Sequence, residues 1–379
     1  MGRYLSSAAT ASILILVGCF GFSCCGPKVR PEPVNFDHPD EVVRGKGFMA
    51  LADRREFAVM AFLNATGFDE EAPGQQMHPV RVKVRQMVAA NLAEHPKKVR
   101  AWRRYRNGLV REHLGTYGYQ DYVLSLSTDY PFRRICRNDE LGYWYTAWLL
   151  ADLPKILNDF WKTAKLDEVW DAVKADYIAE IKRYDFEKMQ REMTFLWKYL
   201  HMERQDTFTL VHVPNPLDRH FSAIGAGYDD CYYAVESPGA IAHSLNIHEY
   251  LHSIVNDLVG KNYAGHKSKL LEYYRAGKNA PGVASYREPV IFVSECMVRA
   301  LDRRIRGQFE NTARWANLTK SQVASDTKNG LNLTQPFYDL LDEFEQSAAP
   351  FDQYLPTMLE RLPDFSGSMV AGQTVETGS

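Results

Sequence analysis

The sequence predicts an α+β fold, mostly helical, with a small sheet placed ahead of a helix that carries chemistry. Three observations lead there. Between residues 79 and 202, apolar positions recur every three or four residues with charges between them, the period of helices buried on one face. From residue 207 the pattern shifts to short alternating runs rich in β-branched and aromatic residues, the period of strands. Those runs end just before His248-Glu249-Tyr250-Leu251-His252, whose two histidines share one face if the segment is helical.

A targeting segment opens the chain. Arg3 supplies a positive start, and Ala8 to Val17 is an apolar run too short to span a bilayer comfortably. Leu16-Val17-Gly18-Cys19 resembles a bacterial lipobox. Residues 1–18 therefore read as a lipoprotein signal peptide, with Cys19 as the lipidated first residue of the mature protein. The alternative is a plain secretory signal cut near Ser23 or Gly26. Either reading places the body outside the cytoplasm, and the first holds it to a membrane by acyl chains rather than by a spanning helix. Residues 19–40, proline-rich and polar, read as a tether. A mainly helical region is expected at 41–205, a catalytic region at 206–362, and a disordered tail of small polar residues at 363–379.

Composition narrows the partners. Of 379 residues, 45% are hydrophobic and 24% charged, enough apolar material for one large core or two of ordinary size. A net charge of −2 gives no overall field that would select nucleic acid. The 21 tyrosines serve core packing, with some expected to line a substrate site. In the body only Cys136, Cys231 and Cys296 remain, an odd number without C-x-x-C spacing, and they read as small buried hydrophobes.

Taken in order, Arg55 to Leu63 is readable as a strand or as a helix. Helices are expected at Pro79–Leu92, Pro96–Leu114, Trp144–Trp161, Leu166–Tyr184 and Met189–Met202. The Arg- and Lys-rich stretch from Arg81 to Arg111 reads as a solvated helix face, the alternative being a surface resting on anionic lipid. Strands are expected at Thr207–Val213, Phe221–Gly227 and Cys231–Glu236, the last two joined by a turn at Tyr228-Asp229-Asp230. Ser237-Pro238 reads as the start of the histidine-bearing helix and Gly260 as its stop.

The HExxH pattern points to Zn2+. Two imidazoles one turn apart can converge on one ion, and Glu249 between them is placed to take a proton from water that the metal acidifies. A catalytic zinc needs a third protein ligand and one open position. His252 is followed by Ser253-Ile254-Val255-Asn256-Asp257-Leu258, with no glycine and no third histidine, which excludes the H-x-x-G-x-x-H extension. Glu295 is the best candidate for the third ligand. It stands in an apolar stretch of a helix expected to begin with a Ser285/Glu288 capping box and Pro289, and to end at Gly307. A carboxylate there is costly unless paired, either by a metal or by Arg299 four residues on. Asp302, with Asp257 as a rival, is a candidate for orienting a ligating histidine.

These residues resemble the gluzincin zinc peptidases, whose pattern is HExxH with a downstream glutamate. More closely, His248 to Val255 and Glu295 to Ala300 resemble a bacterial domain family of unknown function with H-E-aromatic-x-H-S-x-V and a later glutamate before V-R-A. The resemblance covers about Glu41 to Leu362, although only these two segments are specific. It implies a zincin-like catalytic core, His248, His252 and Glu295 as zinc ligands, and Glu249 as general base. It departs from the thermolysin subgroup, since the N-E-x-x-S-D consensus is absent around Glu295. The expected function is a zinc-dependent hydrolase, a peptidase acting on peptide or protein. The alternative is a catalytically inactive metal- or peptide-binding module of the cell envelope. An oxyanion donor is sought among Tyr273, Tyr274, Tyr286 and His266, with Tyr274 chosen, and Ala223 to Gly227 is suited to pairing with substrate backbone.

Overall fold

The body opens with a hairpin. β1 (Val42–Gly45) pairs antiparallel with β2 (Phe48–Leu51) around a tight turn whose Gly47 has φ +76°, a conformation that side chains resist. These are details of a computed structural model that describes residues 39–111, 115–135, 144–203, 209–228, 231–283, 286 and 288–365. The leader with Cys19, the tether up to residue 38, the tail beyond residue 365, Cys136 and Ser285 lie outside the described residues.

Eight helices follow among the described residues: α1 (Arg54–Thr66), α2 (Pro79–Asn91), α3 (Pro96–Arg111), α4 (Thr116–Leu124), α5 (Trp144–Leu149), α6 (Leu153–Thr163), α7 (Leu166–Ile181) and α8 (Phe186–Tyr199). The ambiguous Arg55–Leu63 segment is helical. Asp53 caps it by accepting from the Arg55 and Glu56 amides. Every residue from Phe57 to Leu63 is at most 1% exposed, and a helix buried on all sides has no polar stripe to show its period. The single helix expected at Trp144–Trp161 is two. Pro154 near the start of α6 cannot donate to the preceding turn and clashes with it, so the helix breaks at 150–152.

The strands come next: β3 (Thr209–Pro214), β4 (Ala223–Tyr228) and β5 (Cys231–Glu236). They join the opening hairpin in one five-stranded mixed sheet, order β1-β2-β3-β5-β4. β2 and β3 run parallel with Phe48 opposite Leu210, β3 and β5 run parallel, and β4 closes the far edge antiparallel to β5 with Gly225 opposite Ala234.

Five helices complete the described chain: α9 (Ile247–Gly277), α10 (Pro289–Glu310), α11 (Ala313–Lys328), α12 (Thr334–Gln346) and α13 (Phe351–Arg361). α9 and α10 pack along each other, and the last three helices pack around them. Two boundary signals mislead. Ser237-Pro238 starts a turn, not the helix: Ala240 N donates to Ser237 O, and Ser237 Oγ accepts from Ser222 N at 2.7 Å. α9 begins ten residues later, capped by Asn246, whose side chain accepts from Glu249 N. Gly260 and Gly307 lie inside α9 and α10. A helical glycine costs about 1 kcal/mol against alanine, which the packing on either side overcomes, and α10 ends instead at Asn311 in the left-handed region. Cys296 is fully buried and Cys231 half-buried; neither forms a disulfide. No helix among the described residues is long and apolar enough to cross a membrane.

Candidate metal centre

The site is built where α9 starts and α10 passes. Asn246 does two jobs there. Its carbonyl caps α9, and its amide donates to Glu236 Oε1 at 3.0 Å, tying the end of β5 to the helix. Glu236 is fully buried and also accepts from Tyr184 Oη at 2.6 Å and contacts His212 Nδ1 at 3.1 Å. The first turn of α9 is therefore pinned to the sheet by a buried carboxylate whose oxygens are satisfied, which is what makes its burial tolerable.

From that fixed start, His248 and His252 project one turn apart. Their Nε2 atoms are 3.3 Å from each other. Glu295, on α10, turns its carboxylate toward both: Oε1 is 3.8 Å from His248 Nε2 and Oε2 is 3.4 Å from His252 Nε2. Among the described residues these three form the one group of acids, histidines and cysteines close enough to hold a metal ion together. The spacing suits zinc. Tetrahedral bonds of roughly 2.0–2.1 Å put neighbouring ligand atoms about 3.3–3.4 Å apart, close to what these nitrogens and oxygens show.

The surroundings fix the ligand atoms. Asn256 Oδ1 lies 3.2 Å from His252 Nδ1, placed to accept from it and so to orient the ring with Nε2 toward Glu295. Burial pulls the His248 imidazole down to about 4. His252, against its own burial, is held up by its bond to Glu295. Burial works against the charge on Glu295, but His248, His252 and Arg299 together keep it ionised well below the usual carboxylate range. Arg299 Nε donates to Glu295 Oε1 at 2.6 Å while its Nη1 donates to Asp326 Oδ1 at 2.7 Å. Ligation by Glu295 and its pairing with Arg299 are thus compatible: one carboxylate can serve both.

Glu249 sits beside β4. An alanine methyl at Gly225 would lie 3.0 Å from Glu249 Oε2 and 1.8 Å from the Tyr232 hydroxyl. The bare glycine in the edge strand is thus what lets that hydroxyl and the carboxylate both come close to the backbone of β4. Burial pushes Glu249 up to about 7.

Tyr274 Oη donates to the Tyr286 carbonyl at 3.0 Å, with its ring against Phe292. The Tyr286 hydroxyl is within hydrogen-bond reach of Glu295 and Arg299. Tyr273 Oη donates to Pro363 O at 2.7 Å. Asp302 is buried behind His248 and influences it electrostatically, but its oxygens are taken by Arg303 and Arg306. Asp257 is on the surface, paired with Lys261. Sequence reasoning missed Asn256 and Tyr232. The first sits four residues after His252 and was findable from helix spacing. The second depends on strand register and was not.

Comparison with protein families, with curated proteins and with solved structures finds no match to the chain, so the likeness to zinc peptidases rests on the two motif segments and on the geometry of His248, His252 and Glu295.

Proposed function

We propose that the protein is a zinc-dependent hydrolase that cleaves peptide bonds. The observation that carries the reading is the convergence of His248 Nε2, His252 Nε2 and the Glu295 carboxylate at tetrahedral ligand spacing. Those three residues would hold the ion. When bound, zinc would supply Lewis acidity to a scissile carbonyl and lower the pKa of a water.

The chain's own residues do the rest. Glu249 takes the proton of the attacking water and returns it to the leaving nitrogen. β4 is an edge strand, so its free backbone groups can pair with an extended peptide, and Gly225 brings that edge directly over Glu249. Tyr274 and Tyr286 are the proposed source of an oxyanion donor. Tyr274 holds the Tyr286 backbone, and Tyr286 places a hydroxyl beside Glu295. The substrate class is peptide or protein. We also propose an extracytoplasmic location, held to a membrane through lipid on Cys19, a reading supported by the leader sequence alone.

The test uses the purified chain, its metal content and a mixed peptide library. Wild type should carry one zinc and cleave. Glu249→Gln should keep the zinc and lose cleavage, and His248→Ala should lose both. A wild type that holds zinc and retains peptides without cutting any is a binding module instead. Absence of zinc from a carefully loaded sample removes both readings.

A further inference from the structure

α1, α2 and α3 enclose an open groove of about 830 Å³, within the size range of small-molecule sites. Its apolar floor is formed by Val84, Val88, Leu92 and Val99. Its α3 wall carries Arg100, Arg103 and Arg106, three or so residues apart along one helix face.

This arrangement differs from a solvated charge face in two respects. First, these three arginines, Arg100 and Arg103 exposed and Arg106 half-buried, line a concave surface opposite α1 and α2 and not a convex face. Secondly, they have no ion-pair partner among the described residues. The one acid lining the groove, Asp69, is bonded to Arg85. The nearby Arg81 is buried and already spent on Asn64, Glu71 and the Phe68 and Glu70 carbonyls. From Arg81 to Arg111 the sequence holds ten basic residues and one acidic residue, Glu94, in a chain whose net charge is −2. Cations of one sign gathered along a cleft repel each other and focus a positive potential into it, which an anion relieves.

We propose that this groove binds a single-chain anionic amphiphile: a phosphate or carboxylate head held by Arg100, Arg103 and Arg106, and an apolar chain laid on the valine and leucine floor. Guanidinium forks match both head groups. The concavity favours a discrete molecule over a bilayer surface, which would meet outward-facing cations on a flat or convex face. None of these residues belongs to the metal centre, so the proposal stands or falls independently of the peptidase reading.

Binding of decyl phosphate, below its micelle concentration, to the purified full chain would be measured by calorimetry, with inorganic phosphate and decanol as half-ligands. The leader is common to every variant and cancels. Arg100→Gln/Arg103→Gln/Arg106→Gln should weaken decyl phosphate about tenfold or more. Ala65→Phe, which narrows the groove without changing its charge, should weaken it as well, with far-ultraviolet dichroism confirming that both variants fold. Inorganic phosphate and decanol should each bind much more weakly than the joined molecule. Equal affinity in wild type and the triple variant overturns the proposal, as does phosphate binding as well as decyl phosphate. It also fails if the triple variant changes only adsorption to phosphatidylglycerol vesicles, or only the oligomeric mass in solution. Those results would assign the arginines to a bilayer or to a second copy.

Discussion

Arg299 Nε donates to Glu295 Oε1 at 2.6 Å, so the carboxylate that faces both histidines is clamped by a guanidinium on its own helix. Asp326 on α11 holds that guanidinium from the other side. The clamp aims the carboxylate while opposing the repulsion between it and any neighbouring acid.

Arg299→Gln should lower zinc affinity by about 10–100-fold, the usual cost of losing a group that orients a ligand. Arg299→Lys, which keeps the charge but not the fork, should fall between. Competition against a chromogenic chelator measures it. If affinity is unchanged in the glutamine variant, Arg299 serves only to pair Asp326.

A second expectation concerns Gly225. Its alanine variant places a methyl group into the space held by the Tyr232 hydroxyl and crowds Glu249. Displacing a reacting group by about 1 Å costs on the order of 100-fold, so cleavage should drop while zinc content stays constant. Removing the hydroxyl in Gly225→Ala/Tyr232→Phe should restore part of the rate. A double variant as slow as the single one would show that the damage lies elsewhere in β4.

Glu56 supports a pH prediction away from the site. It is 2% exposed, and neither carboxylate oxygen has a hydrogen-bond partner. Burial, followed by the nearby Asp53, raises its folded pKa well above 4.5, with Arg55 opposing. The folded state therefore binds this proton more tightly than the unfolded chain does. Stability from Glu56 is full below the unfolded pKa and declines as pH rises from there toward the raised folded pKa. Glu56→Gln cannot ionise, so it should be more stable than wild type at pH 8, by on the order of 1–3 kcal/mol, and should converge with it near pH 4. Urea melts at the two pH values decide it. A constant difference across the range would mean that the carboxylate is not the cause.

Much of the site could be read from the chain because helices convert spacing into direction. His248 and His252 had to share a face, and Glu295 stood out as an acid among Phe292, Val293, Cys296 and Met297, all fully buried. Strand identities came through for the same reason, with Cys231–Glu236 matching β5 from end to end. What stayed hidden depends on distant partners. β1 and β2 are four residues each, too short for a period to show, and β2 exists through its ladder with β3. Gly260 and Ser237-Pro238 carry ordinary boundary chemistry, but tertiary packing decided otherwise. The approach of Tyr232 to Gly225 requires the β4–β5 register, which a linear reading does not supply.

The pairing of Phe48 with Leu210 has a practical corollary. A fragment cut to begin near residue 206 would keep both histidines and Glu295 yet strip β3 of its neighbour, turning a central strand into a raw, sticky border prone to self-association. The opening hairpin thus shields the open side of β3 in the half of the molecule that carries the candidate metal group. Any truncated version must carry residues 42–51, or receive them as a separate peptide that can slot back alongside.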